Sequence, residues 1–443
     1  MSDLPRQMLD QYRRGRARSH QLFGLLTDEA YYCQPIALRH PVVFYEGHLP
    51  GFSFNTLVKK TLVRPSIDAR LEDIFARGID PDPEKSPTGQ EPADPRWPSR
   101  DTVRAFSAEA DRQIEHALLN ENLDRPGHPF LDRAEAAFCI LEHEALHHET
   151  LLYMWHRLPF ALKRKPMDYH PHIDGSPPAV EWIDVPQGRV TQGVDRDAVA
   201  FGWDNEFPAR TEHVAAFTIE RHDVTNDRFL EFVEAGGYRD ERWWSPKGWQ
   251  WVQREGVTHP LFWEREGLAW RWRGMFESLA LPLSWPVYVS QAEASAFARW
   301  RAARLPTEAE FQRAAYGSPL GERRYPWGAD EPTRDRGAFD FSSWDPSPAG
   351  SHPAGASAWG VEDLVGNGWE WTSTPFGPFP GFRAMASYPE YSADFFDSQH
   401  VVMKGASPAT ARELLRPSFR NWFRTRYPYV YATFRCARSD ASQ

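Results

Sequence analysis

From the N-terminus to about residue 160, apolar side chains recur at helical spacing in five stretches separated by polar or proline-bearing breaks. The first runs to about Leu26, and the second starts at about Pro41, whose missing N–H suits a first helical turn. The third lies near Ile67 to Arg77, and the fourth runs from Thr102 to about Leu119. The last starts at about Leu131 and includes an apolar run from Ala136 to Trp155 that reads as one long helix. Gly78 to Ser99 is rich in Pro, Asp and Gly and reads as a long loop. This pattern predicts a helical bundle over residues 1–162. Residues 163–180, with Lys163-Arg164-Lys165-Pro166 and Gly175-Ser176-Pro177-Pro178, have linker composition. Beyond them the texture changes: apolar runs shorten, Gly and Pro become frequent, and most of the 19 tryptophans appear. Residues 181–443 are therefore expected to form an irregular, loop-rich α+β domain held by aromatic anchors, making the whole chain α+β.

A length of 443 residues suits two domains that each bury a core. The net charge of −10, with Lys and Arg scattered, gives neither the basic footprint of a nucleic-acid binder nor a basic membrane-surface helix. No apolar stretch approaches the ~20 residues that span a bilayer, and the polar start Met1-Ser2-Asp3-Leu4-Pro5-Arg6 lacks a signal-peptide core. A cytoplasmic protein without nucleic-acid or membrane partners is the expectation. Cys33, Cys139 and Cys436 are few, odd in number and far apart, as suits free thiols better than a disulfide framework.

The candidate chemistry sits in the fifth helical stretch. His143 and His147 are four residues apart, so both imidazoles leave one helix face about a turn apart, where a single metal reaches both. A third histidine, His48, stands in Tyr45-Glu46-Gly47-His48-Leu49-Pro50 on the second stretch. Three neutral imidazoles suit Fe(II), and by softness alone also Zn, Ni or Cu. His143-Glu144-Ala145-Leu146-His147 is at the same time a His-Glu-x-x-His sequence, in which Glu144 would be the base of a zinc metallopeptidase. The metzincin extension is absent after His147, and Glu144 leaves a helix about 100° from His143.

The second half carries, in order, Phe201-Gly202-Trp203-Asp204-Asn205-Glu206, Val224-Thr225-Asn226, Gly236-Gly237-Tyr238, Pro286-Val287-Tyr288-Val289-Ser290, Arg304-Leu305-Pro306-Thr307-Glu308-Ala309-Glu310 and Gly366-Asn367-Gly368-Trp369-Glu370-Trp371. This succession resembles the formylglycine-generating-enzyme fold, and the first half resembles a DinB-like four-helix bundle with an iron site. Together they resemble the ergothioneine sulfoxide synthases and their selenoneine-forming relatives. The resemblance implies Fe(II) held by His48, His143 and His147, O2 as co-substrate, and joining of sulfur or selenium to imidazole C2 of hercynine. Formylglycine-generating activity is not implied, because that enzyme's cysteine pair has no counterpart around Lys404-Gly405-Ala406-Ser407.

The same resemblance implies a substrate pocket. Arg420-Asn421-Trp422 matches an Arg-Asn-Trp/Phe motif that holds hercynine, whose quaternary ammonium suits aromatic faces. Tyr388-Pro389-Glu390-Tyr391 resembles a tyrosine pair that brings a phenol near the iron, with Tyr388 the first choice as proton donor and Tyr391 the second. Where γ-glutamylcysteine-using synthases carry an acid and an arginine that clamp the donor, this chain has Phe423 and Tyr427, with Arg424 and Arg426 nearby. A charged donor would lose contacts of about 1.5–3 kcal/mol each there. The resemblance to the selenoneine-forming relatives then implies a selenosugar donor and a C–Se bond to hercynine, with a thiol donor, γ-glutamylcysteine or cysteine, giving a C–S bond as the alternative. Leu146 replaces a glutamine that touches the substrate imidazole in the best-known synthases.

Overall fold

The computed structural model describes residues 4–76 and 97–439, which divide into two compact units. The first contains residues up to 168 and, from far along the chain, Met385–Pro389; the second contains the rest. Most of the stretch read as the Gly78–Ser99 loop lies outside the described residues.

The helical unit is built from α1 (Leu4–Gly24), α2 (Val42–Ser53), α3 (Ala69–Ala76), α4 (Arg100–Asn120) and α5 (Glu135–Arg157). The five helical stretches read from apolar spacing match these helices. α1 buries Met8, Tyr12, Arg16, Ser19 and Phe23, the stripe expected of a bundle helix packed on α4 and α5. Ser99 caps α4 by accepting from the Thr102 amide.

α2 runs through the bundle interior and has almost no exposed face. Pro50 inside it has no N–H for the carbonyl of Glu46, and the Ser107 hydroxyl of α4 donates to that carbonyl at 3.3 Å instead. α2 then widens into a π-helical turn, Phe54–Thr61. Gly47 allows the other close contact: a Cβ there would lie 2.3 Å from the Phe75 ring of α3.

The second unit is organised around a four-stranded sheet. Strand Gly368–Pro375 pairs antiparallel with His400–Ala406 and parallel with Ala432–Thr433, and Asn421–Arg424 forms the edge beyond His400–Ala406. A three-stranded sheet sets Phe217–Glu220 between Trp182–Val185 and Ala437–Ser439. Helices α6 (Asn226–Glu234), α7 (Pro246–Glu255), α8 (Gln291–Trp300) and α9 (Glu308–Tyr316) fill in around them.

The motifs quoted above now have mechanical roles. Ser290 with Glu293, and Thr307 with Glu310, are reciprocal N-terminal caps of α8 and α9. Gly366 and Asn367 adopt positive φ in the turn that opens strand Gly368–Pro375. There Trp369 and Trp371 are fully buried, and Glu370 between them holds the buried Arg435 at 2.6 and 2.8 Å. The tryptophans do anchor this unit: Trp203, Trp263, Trp272 and Trp285 are also completely buried. All three cysteines are free, and among the described residues no helix is long and apolar enough to cross a membrane.

Candidate metal centre

Helices α2 and α5 bring His48, His143 and His147 together, with one ligand atom from each lying within 4.8 Å of the others. Ring centroids are 4.3 Å apart for the i,i+4 pair and 5.0–5.2 Å from His48 to the pair. His48 and His143 are buried at 0% and 2% exposure, and His147 is partly exposed.

The proton positions follow from the partners. Nδ1 of His48 lies 2.7 Å from the Phe75 carbonyl and Nδ1 of His147 lies 3.0 Å from the His143 carbonyl; a carbonyl only accepts, so both Nδ1 atoms carry the proton. The Nε2 lone pairs are left for a ligand, and Nε2 of His48 has no hydrogen-bond partner. His143 has none at either nitrogen and is instead held by the Phe52 ring, stacked on it at 3.5 Å and 11°. Burial pushes His48 down to about 3 and His147 to about 4, and His143 well below the usual imidazole range, so all three are neutral. Buried, neutral nitrogens without partners cost about 1–3 kcal/mol each, a cost that coordination removes. The donor set fits a transition-metal ion with open positions.

Tyr388 joins this cluster. It belongs to the Met385–Pro389 segment of the helical unit, with its ring 5.1 Å from Phe52 and 6.1 Å from His143. Tyr391, three residues on, belongs to the other unit and stacks on Trp203 at 3.8 Å. Glu144 faces away from the histidines: its carboxylate is buried against α1, taking 3.0 Å and 2.6 Å hydrogen bonds from Arg16 and Ser19. A carboxylate so engaged does not serve as the water-activating base of a zinc peptidase.

The remaining predicted residues lie in the second unit and do not form one patch. Asn421 to Arg424 are consecutive residues of an edge strand, so Trp422 and Arg424 face one side, Asn421 and Phe423 the other. Trp422 stacks on Phe376 at 4.1 Å, with Tyr391 and Phe395 at 5.2 and 5.7 Å. Phe423 stacks on Tyr427 at 5.1 Å and 14°. The Asn421 carboxamide accepts from the Trp422 amide. Arg420 is buried and bidentate to Glu308 at 2.7 and 3.0 Å, and it also donates to the carbonyl of Gly377. Those bonds make it a brace between α9 and the edge strand. Leu146 is partly exposed, one position before His147.

Sequence reasoning missed Phe52, Gly47 and Glu135 as parts of this site. Phe52 stands four residues after His48, the spacing that already linked His143 to His147, so that signal was available. For Glu135, whose partner is 252 residues away, no local signal exists.

The profile of the family described as Sulfatase-modifying factor enzyme 1-like domain matches residues 172–440, and that of the DinB superfamily matches residues 11–151. Hercynine oxygenase of Mycobacterium tuberculosis is 43% identical across 55% of this chain and 58% of its own length. Hercynine oxygenase of Mycolicibacterium smegmatis is 37% identical across 72% of this chain and 74% of its own. Ergothioneine biosynthesis protein 1 of Schizosaccharomyces pombe is 29% identical across 94% of this chain and 54% of its own. The chain thus spans between about half and three quarters of the length of these relatives.

Proposed function

The chain belongs to the hercynine oxygenase family, with a DinB-type bundle followed by a sulfatase-modifying-factor-type domain, and on that premise we propose that it is a mononuclear non-heme Fe(II) enzyme that uses O2 to join a chalcogen donor to imidazole C2 of hercynine. The observation that carries the reading is the trio His48, His143 and His147, the first two buried and the third partly so, all neutral and with one ring nitrogen of each within 4.8 Å of the others. Iron bound there would supply O2 activation and a soft-donor position that makes a thiol or selenol more acidic.

The chain's own residues supply the rest. Carbonyls of Phe75 and His143 hold two rings in the tautomer that leaves Nε2 free, and Phe52 holds the third by its face. The Tyr388 phenol, beside His143, would deliver a proton through its Oη. The aromatic group of Trp422, Phe376 and Tyr391 offers the faces that a quaternary ammonium requires. Asn421 and Arg424 would complete the polar contacts of substrate and donor, with Arg420 supporting their strand.

Sulfur is the donor element favoured by the relatives, whose names include ergothioneine biosynthesis, so γ-glutamylcysteine or cysteine with a C–S product is the leading form. A second form, with a selenosugar donor, is favoured by one observation: Phe423 and Tyr427 stack on each other and offer an uncharged aromatic face where an acid and arginine clamp would stand. The test is a donor panel of γ-glutamylcysteine, cysteine, thioglucose and selenoglucose, each offered with hercynine, Fe(II) and O2. Turnover restricted to the amino-acid thiols establishes the first form, and turnover led by selenoglucose establishes the second. A protein that binds one iron per chain and consumes no O2 with any donor refutes both.

A further inference from the structure

The phenol at the metal centre does not come from the bundle's own stretch of chain. It comes from Met385–Pro389, a five-residue segment with no helix or strand of its own, packed among the helices. Something must hold so short an insert in register with the histidines.

Glu135, the first residue of α5, is buried at 9% exposure, and its Oε1 accepts two hydrogen bonds from one residue. The Ser387 amide donates at 3.1 Å and the Ser387 hydroxyl at 2.9 Å, with Ser387 itself 5% exposed. Lys60 also donates to the carbonyls of Ala386 and Ser387 at 3.1 and 3.3 Å. The residue after Ser387 is Tyr388. The helix that carries Glu135 carries His143 two turns later, about 12 Å along the axis at 1.5 Å per residue. One rigid element therefore holds both the phenol's segment and two of the histidines.

We propose that Glu135 is the positioning residue for Tyr388, fixing the Met385–Pro389 segment so that the phenol stands beside His143. The inference rests on the proposed role of Tyr388, but its geometric part stands without it. Glu135 bonds to Ser387, the residue before Tyr388, so on this reading its effect on turnover passes through that segment.

The test has two arms. In the metal-free protein, hydrogen exchange of the peptide spanning residues 384–390 is expected to speed up roughly a hundredfold in Glu135→Ala, about tenfold for each of the two charge-assisted bonds lost. Glu135→Gln, which keeps an acceptor, restores most of the protection, and Ser387→Ala, which removes one of the two bonds, falls between. In the iron-loaded protein, Glu135→Ala lowers kcat with iron content and KM for hercynine unchanged, and adds nothing to Tyr388→Phe in the double variant. Unchanged exchange in Glu135→Ala overturns the tether. Additive losses in the double variant show that Glu135 acts elsewhere and overturn its positioning role. If the segment is released while Tyr388→Phe keeps full turnover, the tether stands and the proton-donor role of Tyr388 falls.

Discussion

The three imidazoles are oriented by different means, one through the carbonyl of another helix, one through its own helix and one through a stacked ring. Replacing any of His48, His143 or His147 with Ala should leave less than about a tenth of the bound iron with the far-UV circular dichroism unchanged, since outer-shell changes alone cost 10–100-fold in affinity. Metal analysis of the purified variants checks this, and a His48→Ala protein with full iron and turnover would dismiss the trio. Glu144 separates the two enzyme classes that the His-Glu-x-x-His sequence suggested. Its angular distance from His143 was readable from helix geometry, and a mild effect of Glu144→Gln followed from it. The ion pair with Arg16 was not readable, because α1 and α5 are joined only by tertiary packing. Glu144→Gln is therefore expected to keep iron and turnover within about tenfold while lowering stability by about 1.5–3 kcal/mol, the value of a hydrogen bond to a charged group. Urea unfolding and steady-state rates measure the two effects separately, and a protein that is stable, iron-loaded and dead would favour the peptidase reading.

At the level of elements, α2 shows how a helix with unfavourable residues is kept. Pro50 and Gly47 both lower its intrinsic stability, yet each leaves room for a contact with another helix. Pro50 leaves the Glu46 carbonyl to Ser107, and Gly47 lets α3 approach until the Phe75 carbonyl reaches His48. Gly47→Ala should push the Phe75 ring away, cost about 1–3 kcal/mol by overpacking and weaken iron binding by roughly tenfold or more. Chelator competition gives the affinity; if it is unchanged while stability falls, the Phe75 carbonyl is not needed to orient His48. The bundle helices were legible because their apolar period is strong and their breaks contain proline or glycine. The strands of the second unit were not, since strands such as Ala432–Thr433 are two residues long and buried on every side, leaving no alternation to read. The tryptophans announced an aromatic-anchored unit but said nothing of which ring meets which.

For the molecule as a whole, the histidine trio was visible in sequence because two of the candidate ligands are four residues apart on one helix and the third sits on another apolar helix. The residues proposed for the substrate pocket were visible only as a run of letters. Pleating separates Trp422 from Asn421 and Phe423, so three consecutive residues serve two faces. This bears on donor choice. Phe423→Asp with Tyr427→Arg exchanges a stacked aromatic pair for a charge pair and should raise kcat/KM for γ-glutamylcysteine relative to selenoglucose by roughly tenfold or more, as one or two gained charge-assisted contacts imply. If the ratio does not move, that face does not meet the donor. The placement of Met385–Pro389 reaches beyond catalysis, into how the protein is made. The helices of the first unit leave the ribosome long before that segment exists, and at 5–20 residues per second the gap from residue 168 to residue 385 lasts roughly 10–40 s. During that interval Glu135 and Phe52 are without the partners that Ser387 and Tyr388 bring. Gene fragments that end at residue 168 would lack that segment altogether, so the helical unit is not an independent cassette unless a serine and a tyrosine from far along the chain go with it.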